Sequence, residues 1–202
     1  MRTQSAQSSV QLDDIVSRIA LGDQDALKEL FSHFGERVFR YALRLTQQPE
    51  VAEEVVNDVL LAVWKCAHSF RGSSKSSTWL LGITRNLSIN AIRGKSIPTQ
   101  DIDATPEAVD EHQEAGEQVL DTEHKQIKRR IKRSLGQLSV EHRDVLELTF
   151  YHQCSYIDIA EIVGCPESTV RTRMFYAKKQ LQKLLKQEDE PGELKKWLNI
   201  SK

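Results

Sequence analysis

What this chain lacks narrows its class before any motif is read. No apolar run approaches the roughly 20 residues that a membrane-spanning helix needs. The polar opening MRTQSAQSSVQ has no basic-then-apolar plan of a secretory signal. A soluble, cytoplasmic protein with no membrane insertion is therefore expected. Cysteine is sparse and odd in number (Cys66, Cys154, Cys165), which argues against a disulfide framework and for a reducing compartment. All three are expected in the core. No segment alternates β-branched and polar residues as a strand would. A Gly-rich phosphate loop, a nucleophile elbow and a paired-acid constellation are missing too. His142, His152, Cys154 and Cys165 do not have the paired spacing of a zinc site. The expectation is an all-α protein that is not an enzyme, with no catalytic residue, metal or cofactor.

A net charge of −1 taken as a sum argues against a nucleic-acid partner, but its distribution reverses that inference. Residues 96–124 hold nine acids and no Lys or Arg; the rest of the chain then carries 28 basic against 20 acidic residues. Residues 125–186 hold 13 Lys/Arg and 6 Asp/Glu, a local net of +7 that suits a polyanion. The first part is asymmetric as well. Asp13 to Asp58 has ten acids and five bases, whereas Lys65 to Lys95 has six bases and no acid.

Two blocks of helical periodicity flank the acidic stretch. In the first, Leu12, Ile15, Val16 and Ile19 form a short stripe stopped at Gly22, and Asp23 can cap a second helix carrying Leu27, Leu30, Phe31, Phe34, Val38, Ala42 and Leu45. Pro49 opens a third helix that turns Ala52, Val55, Val56, Val59, Leu60, Val63 and Trp64 inward. A fourth runs from about Ser77 to Arg93. In the second block, helices are expected near Val119–Leu135, Val140–Tyr151, Tyr156–Val163 and Glu167–Lys186, with Ser139 capping the second of these and Arg143 and Asp144 on its exposed side. The division follows: an N-terminal domain over 1–95, a flexible acidic linker over 96–124, a C-terminal domain over 125–187 and a tail over 188–202.

The sharpest local signal is YIDIAEIVGCPESTVRTR, from Tyr156 to Arg173: two short amphipathic helices around a glycine turn, a helix-turn-helix. Ile159, Ala160 and Val163 are expected to pack on Val170 and Met174, with Gly164 in the left-handed turn. Ser168, Thr169, Arg171, Thr172 and Arg173 can then reach base edges and phosphates, and Lys178 and Lys179 the backbone. In the first block, Phe70, a partly buried Trp79 and the loop Arg71–Gly72–Ser73–Ser74–Lys75–Ser76 combine phosphate attraction with aromatic surface suited to an unstacked base. Glu53, Glu54 and Asp58 could face a basic partner or form a solvated face.

Three segments, AEEVVNDVLLAVWK from Ala52, STWLLGITRNL from Ser77 and the helix-turn-helix, resemble in order and separation the signatures of extracytoplasmic-function sigma factors. The resemblance spans about Leu12 to Lys95 and Lys125 to Lys186. It implies that the first domain binds the clamp helices of core RNA polymerase and melts the minus-10 element of promoter DNA. The second would dock on the flap and read the minus-35 element, and the linker would thread through polymerase. On the matching positions, Glu54, Asn57, Asp58 and Leu61 would face the clamp. Arg71, Gly72, Ser73, Ser74 and Lys75, beside Trp79, would capture a flipped base, with Asn86, Asn90 and Arg93 near the minus-10 duplex. Ser168, Thr169, Arg171, Thr172, Arg173, Phe175 and Lys178 would work at minus-35. The resemblance also implies an anti-sigma partner and a place in the bacterial cytoplasm, on the nucleoid when active.

Three positions depart from the family pattern: Asn57 where Gln is frequent, Asn90 where Asp is common, and Ser168 where Gly often precedes the Thr-Val pair. The last bears on the start of the recognition helix, so no promoter sequence is carried over. A conventional helix-turn-helix regulator that never touches polymerase would share the DNA contacts but leave the segments around Trp64 and Trp79 unexplained.

Overall fold

The computed structural model describes residues 2–70, 72, 74–95 and 122–187, and these are helical and without a strand. Four helices form the first block: α1 (Arg2–Ala20), α2 (Gln24–Thr46), α3 (Pro49–Cys66) and α4 (Ser76–Lys95), with a 3-10 turn at Ala67–Ser69 after α3. Four more form the second: α5 (Thr122–Gly136), α6 (Val140–Phe150), α7 (Tyr156–Val163) and α8 (Glu167–Gln187). The expected linker and tail lie outside the described residues except for the start of α5.

Local chemistry sets the starts. The Asp23 carboxylate accepts the amides of Asp25 and Ala26 at 2.9 and 3.2 Å, a cap that contributes about 1 kcal/mol. Pro49 occupies the first turn of α3, where its missing amide costs no hydrogen bond. Ser139 caps α6 through the His142 amide. Arg18 braces the α1–α2 turn against Asp23 and Glu29.

Burial completes each block. Leu12, Ile15, Val16 and Ile19 are buried with Leu30, Phe34, Val38, Val55, Val59 and Val63 in one apolar cluster. Each such side chain contributes roughly 1.5–3 kcal/mol when fully removed from water. A second cluster contains Leu138, Val145, Leu148, Ile159, Ile162, Val170 and Met174, and it also takes in Tyr41, Leu45 and Leu81 from the first block. The two blocks therefore share a seam, where α2 and α4 meet α6 and α7.

Several expectations are corrected. Phe31 is 54% exposed because the stripe of α2 is narrower than the apolar residues on it. Leu60 and Trp64 are only half-buried at the edge of α3. Cys66 is exposed at the last residue of α3, whereas Cys154 and Cys165 are half-buried and pack against the margin of the second apolar cluster. Arg143 and Asp144 are buried, not exposed: they sit on the seam, where the other block covers them.

Candidate functional site

The helix-turn-helix is built as its sequence requires. The Ser155 hydroxyl accepts the Asp158 amide at 3.1 Å while the Asp158 carboxylate accepts the Ser155 amide at 3.1 Å, a reciprocal capping box that starts α7. Gly164 closes it at φ +71°, a conformation that strains any residue with a side chain, and its amide donates to the Ala160 carbonyl. Ile159 and Ile162 then meet Val170, Met174 and Ala177 of α8. Ala160 and Val163 are only half-buried at the margin, and Ile162 is a core member the sequence reading did not single out.

That packing turns Ser168, Arg171, Thr172, Phe175 and Lys178 to solvent, with Thr169 half-buried. Arg171 is tethered in place: it pairs with Glu167 one turn earlier and lies 5.3 Å over the Tyr156 ring. Lys178 lies 5.5 Å from the Phe150 ring centre. Both contacts are solvent-exposed and easily exchanged for phosphate or a base edge. Arg173 is half-buried, and its charge adds to the bonds from the Glu141 amide and from Ser139 that hold the Glu141 carboxyl low.

On α3 the inward face of Val55, Val56, Val59 and Val63 leaves Glu54, Asn57, Asp58 and Leu61 exposed at spacings of three, four and seven, one continuous stripe. Leu61, 51% exposed, is the apolar centre of that stripe. A partner with a cationic and apolar surface would fit it.

On α4, Asn86, Asn90 and Arg93 are likewise exposed along one stripe. Trp79 is half-buried and tilted against Phe70 with ring centres 4.9 Å apart. Gly72 has φ +67° in the exposed turn before α4, and Ser74 is half-buried; Arg71 and Ser73 lie outside the described residues. Lys75 is exposed but already paired: both oxygens of Asp158 in the second block lie 3.1 Å from its Nζ. Burial works against that carboxyl, but bonds from Ser155 and Lys75 outweigh it and keep the Asp158 pKa below its ordinary value.

The seam holds ionic groups that the sequence reading missed. Asp144 accepts from Tyr41 Oη and from Arg85 Nε, each at 2.6 Å. Burial pushes its carboxyl up against the pull of Arg85 and Tyr41, and burial with the Asp144 charge holds the Tyr41 phenol well above its usual range. Arg143 places its guanidinium on five carbonyls: Leu135, Gly136 and Leu138 beside it, and Arg44 and Leu45 at the end of α2. One cation thus satisfies the terminal carbonyls of two helices, where the helix dipole also favours positive charge. Burial, with repulsion from Arg44, lowers its pKa to about 10, so it stays protonated at neutral pH. Arg37 Nε donates to His152 Nδ1 at 3.0 Å, and Tyr41 and Tyr151 pack on that imidazole. Burial and the Arg37 charge depress the His152 pKa to about 3. The signal for these residues was helical phase: Tyr41, Leu81 and Asp144 lie four residues before Leu45, Arg85 and Leu148, on faces that become buried.

Among the described residues no group of three His, Cys, Asp or Glu side chains is placed to hold a metal, and no helix is long and apolar enough to cross a membrane.

The two blocks match two family descriptions, Sigma-70 region 2 over residues 30–96 and Sigma-70 region 4 over residues 128–181. The chain is 30% identical over 179 residues to the ECF RNA polymerase sigma factor SigL of Mycobacterium tuberculosis, covering 85% of this chain and 96% of that one. It is 27% identical over 177 residues to the RNA polymerase sigma-H factor of Pseudomonas aeruginosa, with 85% and 92% covered. Among solved structures it resembles the sigma factor RpoE of Bartonella quintana, in complex with the anti-sigma factor NepR, at a TM-score of 0.61 and 26% identity, covering 83% of this chain and 100% of that one. CnrH, in complex with the cytosolic domain of CnrY, shares the fold at a TM-score of 0.63 and 20% identity, with 87% and 97% covered. With both conserved regions in order and a relative matched over nearly its whole length, this chain belongs to the extracytoplasmic-function sigma factors and directs transcription initiation.

Proposed function

We propose that the chain divides initiation between its two blocks, bounded near residues 95 and 125. Glu54, Asn57, Asp58 and Leu61 bind the clamp helices of core RNA polymerase, and their joint exposure on one face of α3 is the observation that carries this reading. The loop Arg71 to Lys75, with Trp79, captures a base of the opened minus-10 element, and Asn86, Asn90 and Arg93 lie along the adjoining duplex. Ser168, Thr169, Arg171, Thr172, Phe175 and Lys178 enter the minus-35 major groove, with Arg173 in a supporting position. Arginine suits this work because its planar fork bonds guanine or phosphate through two donors. The chain acts by binding, not by catalysis, in the bacterial cytoplasm and on the nucleoid when active. An anti-sigma protein is a further partner; the similar sigma factor RpoE is known in complex with the anti-sigma factor NepR.

The test is association of the purified chain with core polymerase, followed by transcription from a promoter-selected template. Wild-type protein should bind core and start transcripts at discrete sites. Asp58→Arg should retain its helical content and lose core binding, because it sets a cation where a carboxylate meets a cationic partner. Wild-type protein that shifts duplex DNA but neither joins polymerase nor supports initiation would leave a conventional regulator as the better account.

A further inference from the structure

Helix α8 carries six Lys and Arg residues and a single acid, Glu167. That acid lies four residues before Arg171 and eleven before Lys178, so all three share one face of the helix. The same face is the one assigned above to the minus-35 groove. A carboxylate there meets the field of the phosphates and weakens binding to every sequence that offers it no donor. An acid in a first turn also favours the start of a helix, but that role is indifferent to base sequence.

In the free chain the Glu167 carboxylate pairs with Arg171, whose guanidinium also lies 5.3 Å over the Tyr156 ring. The two charged side chains are 38% and 65% exposed, and an exposed pair one turn apart is weak. A guanine that offers O6 and N7 together therefore displaces it. The carboxylate is then left in the groove and needs a donor of its own. The major groove supplies only the amino groups of cytosine and adenine. Adenine sets its N7 acceptor beside the amino group, where it repels a carboxylate; cytosine has no such neighbour. Residues four apart on a helix stand about 6 Å apart along its axis, less than two base-pair steps of about 3.4 Å. We propose that Glu167 is a specificity-determining residue of the minus-35 contact: when Arg171 turns to a guanine, the freed carboxylate accepts the amino group of a cytosine at a neighbouring base pair. The inference rests on the assignment of α8 to the minus-35 element. Glu167 thus has a partner in both states, Arg171 in the free chain and cytosine on the matched promoter, and lacks one on mismatched DNA.

The test uses the full chain assembled with core polymerase. Minus-35 elements are selected from one promoter randomised at those positions, and affinities are then measured for duplexes changed one base pair at a time. Wild type should select a guanine and, within two base pairs of it, a cytosine whose replacement costs about tenfold in affinity. Glu167→Ala should keep the guanine, lose the cytosine preference and bind scrambled duplexes more tightly, because a negative charge leaves the groove. Glu167→Gln should select adenine where wild type selects cytosine, since a carboxamide matches the adjacent N6 donor and N7 acceptor. That switch is a gain, so a misfolded variant does not produce it. Variants that select the wild-type element, or that weaken every duplex by one factor, would confine Glu167 to starting the helix and overturn the proposal. Arg171→Ala separates the two levels. If it too leaves the selected element unchanged, the assignment of α8 to minus-35 fails with the proposal; if it loses the guanine while both Glu167 variants change nothing, the proposal fails alone.

Discussion

Helices α4 and α8 both carry cations and small polar side chains suited to DNA, yet they are held in opposite states. On α8, Arg171 is 65% exposed, and among the described residues it is tied by an ion pair within the helix and a stacked tyrosine. On α4, Arg85 is 14% exposed and fixed to a carboxylate from the other block. Composition does not separate these two arginines. What separates them is whether the acid they meet lies on their own helix or across the seam, and therefore whether a competing phosphate must displace one side chain or a whole domain.

The largest effect that would sharpen this contrast comes from comparing Arg143→Ala with Arg171→Ala in a denaturant titration. Removing Arg143 strands carbonyls at the ends of α2 and α5, and a buried acceptor left without a donor costs about 1–3 kcal/mol, so with several stranded at once this is the largest loss expected. Removing Arg171 from the open face should change stability by less than about 0.5 kcal/mol. Equal losses would break the comparison.

The next effect is pH dependence. His152 titrates near 3 in the fold and near 6.5 when unfolded. The unfolded chain therefore binds more protons between those values, so stability is complete above about pH 6.5 and falls as pH drops toward 3. Between pH 7 and pH 5 the loss should be about 2 kcal/mol. Thermal melts of wild type and His152→Gln across that window test it, since the variant should lose that part of the slope.

Two smaller effects belong to the open face. Arg171→Ala should weaken binding to a minus-35 duplex by about 1.5 kcal/mol, the lower part of the range for a bidentate base contact because Arg171 must first leave Glu167. Lys178→Ala should weaken binding almost equally for all sequences and reduce the salt slope of log affinity by about 1. Titrations with matched and scrambled duplexes at several salt concentrations separate the two.

Much of the open face was legible in the sequence because it depends on local rules. The period of α3 that buries Val55, Val56, Val59 and Val63 leaves Glu54, Asn57, Asp58 and Leu61 outside, and Gly164 with the Ser155 cap fixes the angle at which α8 is presented. The seam was not legible in the same way. Arg143 and Asp144 follow a capping serine and look like polar residues on an exposed side; only the position of α2 and α4, set by contacts about a hundred residues away in sequence, turns them inward. Phe31 and Cys66 erred in the other direction: each lies on an apolar stripe and is exposed among the described residues.

The division of labour between α4 and α8 is tested most directly by permanganate probing of a selected promoter with core polymerase and three forms of the chain: wild type, Arg93→Ala and Arg171→Ala. The account predicts reactive thymines upstream of the start site only when polymerase and wild-type chain are both present. Arg93→Ala should reduce that reactivity while upstream duplex protection persists, and Arg171→Ala should reduce upstream protection first. If both variants lose protection and melting in the same proportion, or if thymines react without polymerase, the separate roles of α4 and α8 are contradicted.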